Sequence, residues 1–126
     1  MTMFDAPMLA ALSDTKEVAI RTSKHPTTAV VIWVVVADGE VFVRSFRGGK
    51  GRWYRDLAAG GRATLEVSGR RLEVQAIPAN DPASIKRASR AFLSKYQPSP
   101  HAQAMVQADL LPTTLRLDPI SRPAGG

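Results

Sequence analysis

A chain of 126 residues with 44% apolar content fits one globular core, because chains of this size bury roughly two-thirds of the surface their unfolded form exposes. The absence of cysteine excludes disulfides, thiolate metal sites and thiol nucleophiles and suits a reducing cytoplasm, while the longest apolar run, residues 29–37, is far below the roughly twenty residues of a membrane-spanning helix. A net charge of +6 and a pI near 10.3 imply attraction to polyanions or to phosphorylated small molecules.

Residues 1–15 show no clear period and are expected to form an N-terminal arm, either loosely packed or a short helix; Asp5 stands where an export signal would carry positive charge. From Lys16 to Ser23, KEVAIRTS alternates polar and apolar residues and suits a half-buried strand. A turn at Lys24-His25-Pro26 leads into AVVIWVVVA, residues 29–37, a β-branched run apolar on both faces that reads as one central strand covered on each side. Asp38-Gly39 marks a tight hairpin, since a type I′ turn needs the positive φ that glycine tolerates. The returning strand, Glu40 to Phe46, sets Val41 and Val43 on one face and Phe42 and Arg44 on the other.

After Gly48-Gly49, a short helix is expected from Gly51 to Ala59, with Trp53 and Leu57 inward and Gly60-Gly61 ending it. Arg62 to Ser68 and Arg70 to Pro78 alternate around Ser68-Gly69 and read as a second hairpin. Asn80-Asp81-Pro82 is a helix start. The helix runs to Tyr96, with Ile85, Ala88, Phe92 and Tyr96 in one stripe and Lys86, Arg87, Arg90 and Lys95 as the wet face. Pro98 and Pro100 break it, a short helix follows from His101 to Asp109, and Thr113 to Asp118 makes a closing strand. Residues 16–119 are thus expected to form one mainly β (α+β) domain, a six-stranded antiparallel barrel with short helices at its margins, followed by a disordered tail at 120–126.

The segment RSFRGGKGRWYRDL, Arg44 to Leu57, gathers most of the chemical interest. Two glycines let a backbone approach an anion closely, and Lys50 and Arg52 stand just before a helix start whose amides favour negative charge. The segment is a candidate phosphate site, against the plainer reading of a solvated surface turn. Trp53 could flank a planar ring, although its spacing with Leu57 fits core packing better. His25 and His101 are isolated, with no carboxylate or cysteine at ligand spacing, so no metal site is read. A Gly-x-Ser-x-Gly elbow, a Walker loop and a dinucleotide fingerprint are all absent. No catalytic residue is assigned, and any chemistry would reside in a cofactor.

The order of elements and this central segment together resemble the flavin-binding split-barrel superfamily of pyridoxamine-phosphate oxidases, and within it the deazaflavin-dependent nitroreductase group. The likeness rests on Thr22-Ser23-Lys24 with Thr27-Thr28, the hairpin at Asp38-Gly39, Arg44-Ser45, the loop Arg47-Gly48-Gly49-Lys50, and Trp53-Tyr54-Arg55-Asp56-Leu57. It implies a split barrel, an oxidoreductase, and flavin mononucleotide (FMN) or the 8-hydroxy-5-deazaflavin coenzyme as cofactor. The ring would lie along Val30 to Val36, and the binding residues would be Lys24, Thr28, Arg44, Ser45, Arg47, Gly48, Gly49, Lys50, Arg52 and Trp53. A homodimer and an unspecified small-molecule substrate are also implied. The first loop departs from the family's Gly-Arg-Lys-type cluster, carrying Ser23-Lys24-His25-Pro26, which shifts phosphate affinity onto Arg44, Arg47, Lys50 and Arg52. Two alternatives use the same loop: a non-catalytic binder of a phosphorylated ligand and, less favoured, a barrel that binds single-stranded nucleic acid and requires an exposed Trp53.

Overall fold

The computed structural model describes residues 4–97 and 99–120. The expected tail therefore lies, from residue 121 onward, outside the described residues. Seven antiparallel strands form one sheet: β1 (Glu17–Thr22), β2 (Val30–Trp33), β3 (Val35–Ala37), β4 (Glu40–Val43), β5 (Gly61–Val67), β6 (Arg70–Pro78) and β7 (Leu115–Pro119). Their order across the sheet is β2-β1-β5-β6-β7-β4-β3. The two end strands, β2 and β3, are consecutive pieces of the chain separated only by Val34, so the sheet curls into a nearly closed barrel whose ends meet at that residue.

This arrangement corrects the reading of residues 29–37 as one central strand. The run divides: β2 pairs with β1, Trp33 opposite Glu17, and β3 pairs with β4, Val35 opposite Phe42. Six expected strands become seven for this reason alone. An unbroken strand could not serve two neighbours at opposite ends of the sheet without a kink, and every residue of the run is apolar, so nothing in the pattern marks the position.

Both hairpins form as expected. Asp38 and Gly39 have φ of 52° and 80°, Ser68 and Gly69 of 50° and 78°, the paired positive values of a type I′ turn. Along the strands, alternation sorts side chains into two cores. Val18, Ile20, Val41, Val43, Leu65 and Leu117 fill the barrel interior, sealed by Trp53 and Leu57 of α2 (Arg52–Leu57) and by Met8 and Leu12 of α1 (Ala6–Asp14). Of the two readings of the N-terminal segment, the helix is the one observed; Asp5 caps it by accepting from the Met8 N–H at 2.9 Å.

On the outer face, Val35 and Phe42 pack against α3 (Pro82–Tyr96) and α4 (Pro100–Ala104) through Ala88, Phe92, Tyr96 and Met105. Asp81 caps α3 as expected, accepting from the Ser84 N–H at 3.1 Å. Two cations assigned to its wet face are not there. Arg87 reaches back to Glu40 at 2.6 Å and lies over the Phe42 ring. Lys95 bends over the break between β2 and β3, where its Nζ donates to the carbonyls of Val34 at 2.6 Å and Leu12 at 2.9 Å. Beside it the Tyr96 hydroxyl accepts from the Val34 N–H at 3.2 Å and donates to the Lys16 carbonyl at 2.6 Å. The one residue that leaves the ladder thus has both backbone groups satisfied by side chains of α3. No helix among the described residues is long and apolar enough to cross a membrane.

Two predictions follow from this seam. Replacing Tyr96 by Phe leaves the Val34 N–H and the Lys16 carbonyl without their partner and should lower stability by about 1–3 kcal/mol, read as a shift of the urea midpoint at unchanged slope. Burial lowers the Lys95 ammonium to about 8 and raises the Tyr96 hydroxyl to about 12. Between pH 8 and 10 the unfolded chain holds the Lys95 proton that the folded chain has lost, so the Lys95 contribution to stability rises with pH; the raised Tyr96 hydroxyl stays mostly protonated in both states over this window. The melting temperature should therefore rise from pH 8 to 10, and Lys95→Met should lack the rise.

Candidate functional site

A cavity of about 640 Å³ opens where the end of β4 meets β2, α2 and α4, a size suited to a small organic ligand. Val30, Ile32 and Trp33 of β2 form one wall, and Met105 with His101 of the α4 region forms the facing one. The basic segment closes the remaining side through Arg44, Ser45, Phe46 and Arg47, and then through Gly51, Arg52 and Trp53.

The cations of that segment separate by burial. Arg44 is 1% exposed, and its guanidinium is committed to the protein: Nε donates to Thr114 Oγ1 at 2.8 Å, Nη1 to the Met105 carbonyl at 3.0 Å and Nη2 to the Ile85 carbonyl at 2.9 Å. It lies over the Phe92 ring, and burial lowers its pKa to about 10. Arg44 thereby ties α3 and the segment after α4 to the barrel, with each of its three nitrogens donating to a protein oxygen. Arg47 and Arg52, in contrast, are exposed at the cavity mouth and pair with no carboxylate among the described residues.

Ser45 is also 1% exposed. Its N–H donates to Thr113 Oγ1 at 3.1 Å, while its own Oγ, buried at the cavity wall, has no hydrogen-bond partner among the described residues. That hydroxyl sits directly beneath Gly51: a Cβ there would come within 2.6 Å of Ser45 Oγ, so the glycine is needed for close approach. Gly48 supplies the other special conformation, φ +63°, at the start of the 3₁₀ turn Gly48–Lys50. α2 has only six residues, so its amides and dipole add little; the loop works mainly through side chains.

Of the residues singled out in the sequence, Arg44, Ser45, Arg47, Arg52 and Trp53 meet at the cavity, but Gly48, Gly49, Lys50, Lys24 and Thr28 do not line it. Lys24 and Thr28 belong to the turn after β1, which is fastened to α2 instead. Asp56 accepts there from Thr22 Oγ1 at 2.7 Å and contacts His25 Nδ1 at 2.6 Å. Burial would raise the Asp56 carboxyl, but the hydrogen bonds from Thr22 and His25 outweigh it and hold the pKa below the usual range. Trp53 is 8% exposed, with one edge in the barrel core and another on the cavity. Trp33 lies within the stretch Val30 to Val36 expected to face the ring, His101 has no role in the sequence reading, and Phe46 and Met105 are not singled out by it. The approach of His101 and Met105 depends on how α4 docks, and no local spacing signals it. Among the described residues no group of three or more His, Cys, Asp or Glu could hold a metal ion.

A family model described as an uncharacterised protein conserved in bacteria (DUF2255) matches residues 8–117. The chain belongs to this family. The matched span runs from α1 to β7 and so contains the barrel and the cavity together. No curated protein matches the sequence. Among solved structures the chain is similar to the conserved hypothetical protein Rv2991 from Mycobacterium tuberculosis, with a TM-score of 0.62 and 14% identity over 98% of this chain and 83% of that one. At that identity the likeness shows the fold, a nearly closed antiparallel barrel, and no ligand.

An unpartnered buried hydroxyl costs stability, so Ser45→Ala should stabilise the protein without ligand by about 1 kcal/mol. Thermal denaturation of the two proteins checks this, and a loss of stability would show that Oγ has a partner within the fold.

Proposed function

We propose that the cavity binds a flat, phosphorylated cofactor of the flavin or deazaflavin class and that the protein is an oxidoreductase working through it. The observation that carries this reading is the convergence, around one cavity, of apolar and aromatic walls, two exposed arginines without carboxylate partners and a buried serine hydroxyl without a partner. Each guanidinium is a planar fork that matches pairs of phosphate oxygens, and each desolvated contact contributes about 1.5–3 kcal/mol. Ser45 Oγ would donate to an oxygen of the ligand, and Arg44 adds fixed positive charge behind the wall without using its donors. Ile32, Trp33 and Met105 exclude water from the face of the ring. When bound, such a cofactor supplies hydride or electron transfer; the protein binds, orients and shields it.

The same reading includes a homodimer in the cytoplasm. Among the described residues Val31 and Phe46 are the exposed large apolar side chains, at 62% and 58%, and Phe46 lies on the cavity rim, where a second copy would cover it. A non-catalytic binder would use identical contacts and differs only in lacking turnover. Nucleic-acid binding by stacking is disfavoured because Trp53 is buried.

Titration with flavin mononucleotide and with the 8-hydroxy-5-deazaflavin coenzyme, followed by ligand fluorescence, should give micromolar binding of one of them, little affected by moderate salt. Arg47→Ala and Arg52→Ala should each weaken it about tenfold, whereas Lys50→Ala, off the cavity, should change it little. Absence of binding by either ring, together with salt-sensitive binding of a single-stranded oligonucleotide, would sink the cofactor reading.

A further inference from the structure

A second cavity, of about 680 Å³, lies on the other side of Trp33 and His101, which line both. Its wall is the seam of the barrel: Lys95 and Tyr96 from the end of α3, with Lys16 and Glu17 from the start of β1 and Asp14 from the end of α1. Tyr96 covers one face of Trp33, the rings stacked at 3.8 Å and 3° from parallel. The His101 ring meets the Trp33 indole edge-on at 6.5 Å.

Lys95 is the half-buried charge of this cavity. An ammonium has three donors. Two are taken by the carbonyls of Leu12 and Val34, and no carboxylate lies within 4 Å of Nζ among the described residues. Of the other charges on the rim, Asp14 acts on Lys95 and partly offsets the effect of its burial, while Lys16 and Glu17 are exposed to solvent. Lys95 is the half-buried charge among them, with Ser13, Gln97 and Ser99 available as neutral donors around it.

We propose that this second cavity is a binding site for a small organic carboxylate, which takes the remaining donor of Lys95 and packs its apolar body against the aromatic wall of Trp33 and Tyr96. The site shares the Trp33 and His101 wall with the first cavity, but its charged group, Lys95, lines this cavity alone. Burial already lowers the pKa of Lys95, so a bound carboxylate should raise it.

The test is a titration of the full chain with benzoate and with neutral benzamide at constant ionic strength, observed by NMR at the Trp33 indole N–H and the Lys95 side chain. Benzoate should shift both signals saturably at millimolar concentration, with benzamide about tenfold weaker, and the Lys95 pKa should rise on saturation. Lys95→Gln should abolish the preference for benzoate and Lys95→Arg, which keeps the cation, should retain it. Because Lys95 also holds the seam, the unmodified protein decides if the variants misfold. No saturable shift, equal response to benzamide, or shifts confined to Arg47 and Arg52 would overturn the proposal. None of these results bears on flavin binding in the first cavity, which is titrated by the cofactor's own fluorescence.

Discussion

The fold depends on what happens at Val34. One apolar segment must supply both end strands of the sheet, and it can do so only by leaving the ladder for a single residue. A buried backbone amide and carbonyl without partners would each cost about 1–3 kcal/mol, enough to favour a flat, open sheet. Lys95 and Tyr96 remove that penalty from outside the barrel, and in doing so they fix where α3 ends. Closure of the barrel and docking of the helix are therefore coupled through the same two side chains.

Arg44 plays the corresponding part at the other end of α3. Three of its N–H donors meet oxygens from α3, from the segment after α4 and from Thr114. A lysine could place a charge there but not a fork of three directions. The basic segment is thus divided by burial: its first cation, Arg44, is a structural tie, while Arg47 and Arg52 stand exposed at the cavity with no carboxylate partner among the described residues. Sequence alone cannot draw that division, because Arg44, Arg47 and Arg52 differ in burial and not in chemistry.

What the sequence conveyed follows from how local each signal is. The two type I′ turns, the strands on either side of the second and the cap of α3 are dictated within a few residues and appear where the pattern put them, whereas around the first turn the preceding run breaks at Val34 and the returning strand ends at Val43, short of Phe46. The break at Val34 has no local mark because its cause is Tyr96, sixty-two residues away. The same holds for the cavity. Arg47, Arg52, Trp53 and Ser45 belong to one continuous stretch with a readable composition, and Val30, Ile32 and Trp33 to the strand set beside it, whereas His101 and Met105 reach it only through tertiary docking. Lys24 and Thr28 were placed with the loop by resemblance, but the turn that holds them is drawn toward Asp56 by Thr22 and His25.

The cavity between these ties is unequally rigid, and that decides where its selectivity must lie. Its apolar wall is held by the seam, since Trp33 is stacked on the same Tyr96 that satisfies Val34. Its cationic rim consists of two exposed arginines, each of which loses up to about 2 kcal/mol of rotamer freedom when it is fixed on a ligand. Against a charge-assisted contact of about 1.5–3 kcal/mol, the net gain per arginine is small. Most of the binding free energy must then come from covering the preformed wall, at about 25 cal/mol for each Å² of apolar surface removed from water. On the proposed reading the rim would attract phosphorylated molecules as a class, and the wall, already in place before any of them arrives, would choose among them by the shape of the ring.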